Sequence, residues 1–163
     1  MSALIATLFG IGHLRPAPGT WGSLAALPLA IGLYVLGGPW GVVVATVAVG
    51  IAGLWATRIE TAGSADKDPG HIVIDEVVGQ WIALWPIFFG AAGASVGLLA
   101  LWPGWVAGFL LFRLFDIWKP GPIGWADRRG DAEGVMLDDI LAGIAAAVCV
   151  TLLAGLWHGV LGR

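Results

Sequence analysis

Charged residues are scarce in this chain of 163 residues. Only 12% are Asp, Glu, Lys or Arg, whereas soluble domains average roughly 25%. Apolar residues make up 58% of the chain, and the mean hydropathy is +0.89. This composition excludes an ordinary soluble domain and indicates a protein embedded in lipid. The length allows one domain, residues 1–163, and leaves no room for a separate soluble core beside several membrane helices.

Cysteine is nearly absent, and so are several familiar catalytic motifs. The one cysteine, Cys149, excludes an internal disulfide and a cysteine-based metal cluster. The sequence contains no P-loop, no G-x-S-x-G and no H-E-x-x-H motif. Residues 1–12 have no Lys or Arg before their short apolar run. They lack the charged region of a cleavable signal peptide, so we expect the helices themselves to direct membrane insertion.

Long apolar segments account for most of the chain. They run over about 23–36, 40–57, 77–101, 106–118 and 140–160. A bilayer core requires about 20 helical residues, so the first segment is short and is either a tilted helix or a re-entrant arm. The third and fourth segments are divided either at 102–104, which we prefer because Pro and Gly flank aromatic residues there, or at 90–93. We predict an all-α integral membrane bundle with about five embedded segments.

The charges fall in alternate connections between these segments. Residues 1–22, 58–76 and 119–139 hold nearly all of them, whereas 37–39 and 101–105 hold none. The positive-inside rule therefore places the three charged connections and the N-terminus in the cytoplasm, and Arg163 outside. The basic residues behind this assignment are Arg15, Arg58, Lys67, Lys119, Arg128 and Arg129. A polar site is expected at the cytoplasmic interface of the membrane.

Five carboxylates are expected to converge at that interface. Asp75 and Glu76 precede the third segment, Asp138 and Asp139 precede the fifth, and Asp116 lies near the cytoplasmic end of the fourth. Helix capping is the structural alternative, because carboxylates stabilise helix N-termini. Two acidic doublets and a fifth acid exceed what capping needs, and they would repel one another without a cation. Such oxygen ligands suit Mg²⁺, which binds a few carboxylates together with substrate phosphate.

Two further features point to an anionic substrate. Arg113, Asp116 and Lys119 follow at three-residue steps and share one helix face, in an apolar context where charge is costly. Arg113 and Lys119 are suited to binding phosphate oxygens, with snorkelling or pairing with Asp116 as the alternative. Residues 18–23 read P-G-T-W-G-S, and Thr20 and Ser23 are candidate helix caps or phosphate ligands at a helix N-terminus.

Four motifs together resemble the phosphatidylglycerophosphatase A family. They occupy residues 18–24, 67–81, 112–123 and 134–143, in order and over nearly the whole chain. The resemblance implies a bacterial inner-membrane, Mg²⁺-dependent phosphatase that converts phosphatidylglycerophosphate into phosphatidylglycerol. By motif, it implicates Thr20, Ser23, Asp75, Glu76, Arg113, Asp116, Lys119, Asp138 and Asp139. Residues 131–133 replace the usual Gly-Gly pair of the family, so no role is assigned to that loop.

The expected reaction is metal-assisted hydrolysis of a phosphomonoester. We assign Asp75, Asp116, Asp139 and Lys119 to catalysis, Thr20, Ser23, Arg113 and Lys119 to phosphate, and Asp75, Glu76, Asp116, Asp138 and Asp139 to metal binding. Attack by water and an aspartyl-phosphate intermediate both remain open. A small cation transporter is the alternative function, although its ion path would need polar groups through the whole bundle. Gly104 and Gly108 form a G-x-x-x-G that packs helices or joins copies of the chain.

Overall fold

The chain folds into an all-α bundle, as predicted. The structure is a computed structural model that describes residues 1–63 and 69–161. Lys67 and Arg163, both used in the topology prediction, lie outside this described part. The α-helices are α1 (Ser2–Ala6), α2 (Pro18–Glu60), α3 (Ile74–Ala94), α4 (Trp102–Trp118), α5 (Pro122–Asp127) and α6 (Ala132–Leu156). Short 3-10 turns occupy Ile11–His13 and Leu98–Leu101, and a π-helical turn occupies Trp157–Leu161. The described residues contain no strand.

Helix α2 consists of two arms that double back on each other. The break lies at Gly38, whose φ of 62° and ψ of −162° are not helical and are readily adopted only by glycine. A Cβ added at Gly22, in the first arm, would lie 2.9 Å from Val73 Cβ, and one added at Gly53, in the second arm, would lie 3.1 Å from Ile74. The start of the first arm and the end of the second arm therefore both pack against the beginning of α3.

Four helices are long and apolar enough to cross a membrane: α2, α3, the segment Leu98–Trp118 that contains α4, and Ala132–Gly159 that contains α6. Because α2 has two arms, these helices provide five embedded segments, which agrees with the predicted number. The first arm begins at Pro18, earlier than the predicted segment, so it is not short. All charged side chains of the described residues lie at the end of the bundle where α3 and α6 begin and α4 ends.

Helix α3 forms the centre of the bundle and packs against α2, α4 and α6. Most of its side chains are buried. Glycines allow the closest approaches, since Gly53 of α2 faces Ile74 and Gly143 of α6 faces Gly79. These contacts bring the first turn of α3 and the second turn of α6 to the same level of the bundle. The acidic doublets of the two helices are therefore neighbours in space.

Two predicted boundaries were wrong. The chain turns between α3 and α4 at residues 95–97, where Ser95 adopts a left-handed φ of 54°, rather than at 102–104 or 90–93. Trp102 instead begins α4, with Pro103 in the first turn, where its missing N–H costs nothing. Helix α6 begins at Ala132 rather than at the acidic doublet. Asp131 caps it by accepting a hydrogen bond from Gly134 N–H at 2.7 Å.

Candidate active site

The predicted acidic and basic residues surround one cavity at the charged end of the bundle. The cavity has a volume of about 260 Å³ and lies where α2, α3 and α6 begin and α4 ends. Its lining residues are Ala17, Pro18, Gly19, Gly70, Ile72, Asp75, Glu76, Arg113, Asp116, Lys119, Val135, Asp138 and Asp139. All five predicted metal-binding carboxylates and both predicted phosphate-binding cations are therefore brought together.

The acidic doublets at 75–76 and 138–139 do not serve as the N-caps of their helices. Asp138 and Asp139 lie in the second turn of α6, beyond the cap that Asp131 provides. Asp75 lies in the first turn of α3, but the N-cap of that helix, Val73, is not acidic and makes no side-chain cap bond. Asp75 accepts the N–H of Glu76 at 3.0 Å, a contact within the doublet. The doublets present their carboxylates to the cavity instead.

The five carboxylates form two groups that share Asp139. In each group one oxygen per residue lies within 4.8 Å of the others; the groups are Asp75, Glu76 and Asp139, and Asp116, Asp138 and Asp139. Asp139 is 2% exposed. Within the described residues, its Oδ1 and Oε2 of Glu76 are buried and have no hydrogen-bond partner. Buried carboxylate oxygens of this kind require a cation or a donor to offset their desolvation.

Arg113 joins α4 to both α3 and α2. Its Nη1 lies 2.5 Å from Asp116 Oδ2 and 4.0 Å from Glu76 Oε1. The same nitrogen lies 3.5 Å from the hydroxyl of Ser23. Ser23 in turn donates to the carbonyl oxygen of Gly19 at 2.9 Å, so its contact with the site runs through Arg113. The guanidinium thus has one acid as its close partner and presents positive charge to the cavity.

Lys119, at the C-terminal end of α4, bridges two acids. Its Nζ donates to Asp138 Oδ2 at 2.6 Å and to Asp127 of α5. Burial lowers the pKa of Lys119, but the hydrogen bonds to Asp127 and Asp138 outweigh it and raise the pKa above its usual value. The ammonium therefore stays charged through the physiological range. Lys119 adopts a left-handed φ of 49° directly after α4, and Pro120 prevents the helix from continuing.

The N-terminus of α2 forms one wall of the cavity with its backbone. No side chain caps this helix, and Pro18 occupies its first turn. A Cβ added at Gly19 would lie 2.0 Å from Glu76 Oε1 and 3.2 Å from Arg113 Nη1, so a side chain there would displace these charged groups. Helix N-termini of this kind bind anions through free N–H groups. Thr20 belongs to the same turn but is absent from the described lining of the cavity.

Two contributors to this site are missing from the residues assigned to it by sequence. Glycines in the motif at 18–23 suit close backbone approach, but only the hydroxyls of Thr20 and Ser23 were assigned, whereas Gly19 makes the close approach to the charged residues. Asp127 lies just before the motif at 134–143 and was given no role, and the structure pairs it with Lys119. The eight-residue spacing of Lys119 and Asp127 on either side of a Pro-Gly-Pro turn was the available signal.

The donor set of the cavity fits a divalent cation of the hard type. It consists of carboxylate oxygens from three helices, two of them buried without a partner among the described residues. Hard oxygen ligands are preferred by Mg²⁺ and Mn²⁺, whereas sulfur and imidazole ligands are absent from the described lining. Arg113 and Lys119 beside this set are suited to a phosphate group.

The protein is an all-α membrane bundle, and acidic and basic side chains surround a cavity at one end of it. These are the features of a membrane-embedded phosphatase. Comparison with known proteins agrees with this class. Residues 4–154 match the family described as phosphatidylglycerophosphatase A. The chain belongs to this family and is a phosphatase.

Individual relatives extend over most of the chain. A phosphatidylglycerophosphatase A of Haemophilus influenzae is 39% identical over 148 residues, which cover 90% of this chain and 85% of the relative. One of Escherichia coli is 35% identical over 156 residues, covering 94% and 84%. A protein of Bacteroides thetaiotaomicron described as a candidate phosphatidylinositol-3-phosphatase is 35% identical over 158 residues, covering 93% and 92%. No solved structure matches the chain.

Proposed function

We propose that this protein hydrolyses phosphatidylglycerophosphate to phosphatidylglycerol and inorganic phosphate, with Mg²⁺ as cofactor, at the cytoplasmic face of the bacterial inner membrane. The observation that carries the proposal is the convergence of five carboxylates, Arg113 and Lys119 on one cavity. The names of two relatives agree with the substrate. The positive-inside rule supports the cytoplasmic orientation, because the basic residues of the described part lie at the end of the bundle that holds the cavity.

The terminal phosphate would bind between the cations and the backbone of α2. Arg113 Nη1 and Lys119 Nζ approach the cavity from α4, and Gly19 closes it with backbone alone. Charge-assisted hydrogen bonds from such cations are about twice as strong as neutral ones. We assign Ser23 to holding Arg113, with which it is in contact at 3.5 Å. Thr20 remains a predicted phosphate ligand through its position in the first turn of α2.

The cation would be held by Asp75, Glu76 and Asp139, with Asp116 and Asp138 as further ligands. Of these acids, Asp116 and Asp138 already have close partners in Arg113 and Lys119, whereas Asp139 Oδ1 and Glu76 Oε2 have none among the described residues. The group of Asp75, Glu76 and Asp139 is therefore the stronger candidate for the cation site. When bound, Mg²⁺ would offset the phosphate charge and act as a Lewis acid on the phosphoryl oxygens.

In the reaction, a new bond forms between an attacking oxygen and phosphorus, and the bond between phosphorus and the glycerol oxygen breaks. The attacking oxygen belongs either to water, with a site carboxylate as base, or to Asp75, Asp116 or Asp139. Arg113 and Lys119 would stabilise the charge that develops on the phosphoryl oxygens. The departing alkoxide takes up one proton and leaves as phosphatidylglycerol. Attack by water gives phosphate directly, whereas an aspartyl phosphate would release phosphate only after water hydrolyses it in a second step.

The position of the cavity suits a lipid substrate. Ile117 and Trp118, at the end of α4, are exposed beside Asp116 and Lys119, so apolar surface borders the charged residues. Acyl chains would stay in the inner leaflet while the headgroup reaches the cavity. An ion path would require polar side chains farther along the bundle, yet the charged residues of the described part are confined to one end.

Phosphate release from purified protein in detergent tests this function. Phosphatidylglycerophosphate with Mg²⁺ should give inorganic phosphate and phosphatidylglycerol at equal rates. Phosphatidylinositol-3-phosphate serves as the comparison substrate, because one relative's name refers to it. A higher kcat/KM for phosphatidylinositol-3-phosphate would overturn the substrate assignment, and no release from either lipid would overturn the proposed reaction.

A further inference from the structure

A polar side chain that the proposed reaction does not use lies directly below the active site. Gln80, in α3, is 0% exposed. Within the described residues neither its Oε1 nor its Nε2 has a hydrogen-bond partner. Burying an amide without a partner is unfavourable. An apolar residue at this position would stabilise the bundle better. Stability of the fold therefore does not explain the amide, and we look for a function of Gln80.

The position of Gln80 is fixed by contacts on either side along the α3–α4 interface. On the membrane side, Gly108 of α4 faces Leu84, since a Cβ added there would lie 3.1 Å from Leu84 Cδ2. On the cavity side, Glu76 of α3 faces Arg113 of α4. Gln80 is one turn from each of Glu76 and Leu84, and residues four apart lie on one helix face. It therefore separates the apolar interior from the charged site.

The neighbours of Gln80 on the cavity side are also incompletely paired. Oε2 of Glu76 and Nε of Arg113 are buried and have no partner among the described residues. Together with the amide of Gln80, these atoms comprise two donors and two acceptors. Buried waters typically make about three hydrogen bonds to groups of this kind. The complementary set predicts a water-bridged network in which each of the four atoms gains a partner.

We propose that Gln80 is a positioning residue that orients Glu76 and Arg113 through this network, and so sets the affinity of the site for its cation. The inference rests on the proposed function, in which Glu76 is a metal ligand. Groups that hydrogen-bond to metal-ligating carboxylates usually change metal affinity or activity by about 10- to 100-fold when removed. Gln80 would act through Glu76 and would not touch the substrate.

The test compares Gln80→Met with Leu84→Met as a matched control. Both substitutions place an unbranched apolar side chain on the same face of α3, one turn apart, and only the first removes an amide. Binding of Mn²⁺ alone, a hard cation that suits the same ligands, is measured from the electron paramagnetic resonance signal of the free ion. We expect Gln80→Met to raise the Kd for Mn²⁺ about 10-fold. Leu84→Met should leave it unchanged.

Thermal unfolding of the same variants separates positioning from a structural role. Gln80→Met should unfold at the wild-type temperature or above it, because a buried amide is lost without leaving a cavity. Wild-type Mn²⁺ affinity in Gln80→Met would overturn the inference, and so would a variant that fails to fold, since the amide would then serve the fold. Wild-type protein that binds Mn²⁺ but releases no lipid phosphate would refute the proposed function alone. Wild-type protein that binds no Mn²⁺ would refute the cation site and, with it, this inference.

Discussion

Gly79 of α3 and Gly143 of α6 bring two helix backbones into direct contact below the active site. A Cβ added at Gly143 would lie 2.4 Å from the carbonyl oxygen of Gly79, and one added at Gly79 would lie 2.6 Å from the carbonyl oxygen of Asp139. These carbonyl groups belong to helix backbones and cannot move aside independently. The two glycines therefore set the distance between the doublets at 75–76 and 138–139.

Replacing Gly143 with Ala should push α6 away from α3 and lower both stability and activity. Gly50→Ala is the control, because its Cβ would lie 3.9 Å from Val78, an ordinary contact. Ala is favoured over Gly in a helix by about 1 kcal/mol, so the control should be neutral or stabilising. Thermal unfolding and phosphate release measured in the same detergent compare the two variants. Equal behaviour would show that the glycine contact does not position the acids.

Removal of divalent cations should abolish phosphate release, because the five clustered acids need a counter-cation in order to bind a phosphate dianion. Adding Mg²⁺ in excess of the chelator should restore the rate. Ca²⁺ at the same concentration serves as the control for simple charge screening. Full activity in excess chelator would contradict the metal mechanism.

Asp75→Asn and Asp139→Asn should each lower kcat by about 10²-fold or more, since each removes a charge from the site while keeping its shape. The control is Asp131→Asn at the N-cap of α6, because Asn caps a helix about as well as Asp. Phosphate release per folded molecule is the measurement, with unfolding temperature recorded in parallel. Near-wild-type turnover in Asp75→Asn and Asp139→Asn would favour a purely structural role for these acids.

Gly19→Ala should impair binding of the substrate phosphate, because the added Cβ would fall 2.0 Å from Glu76 Oε1. Either Glu76 or the first turn of α2 must move, so we expect a higher KM and a lower kcat. Gly32→Ala in the same helix has open space around the added Cβ and is the control. If kinetics of Gly19→Ala matched those of Gly32→Ala, the backbone of α2 would have no part in the site.

Membrane topology can be tested with single cysteines in a Cys149→Ala background. Cysteines at Ala62 and Arg128, both exposed, should resist an impermeant thiol reagent in intact spheroplasts and react after the membrane is opened. A cysteine at Gly37, beside the break in α2, should be labelled in intact spheroplasts. If the cysteines at positions 62 and 128 were labelled from the outside, the cavity would face the outer leaflet. That result would contradict the cytoplasmic assignment.

The sequence predicted which charged residues meet at the cavity better than it predicted the boundaries of the helices. The charges at 75–76, 113–119 and 138–139 were readable because each interrupts an apolar stretch. The start of α6 was missed because Asp131 caps a polar first turn, which resembles a loop when only hydropathy is considered. The turn at 95–97 lacks Pro and charge, so it gives no clear signal. The partners that Gly19 and Gln80 approach in space could not be predicted, because no single sequence contains that information.

The break at Gly38 has a consequence for how the protein enters the membrane. The two arms of α2 are joined by an uncharged turn at 37–39, and every charged residue near them lies at their far ends. The hairpin can therefore insert with its tip first, without carrying any charge through the hydrocarbon layer. Placing an ionised side chain at the centre of that layer costs about 2.5–3.5 kcal/mol or more. The connection between α3 and α4 is equally free of charge. The same one-sided distribution of charge thus suits both membrane insertion and the proposed reaction.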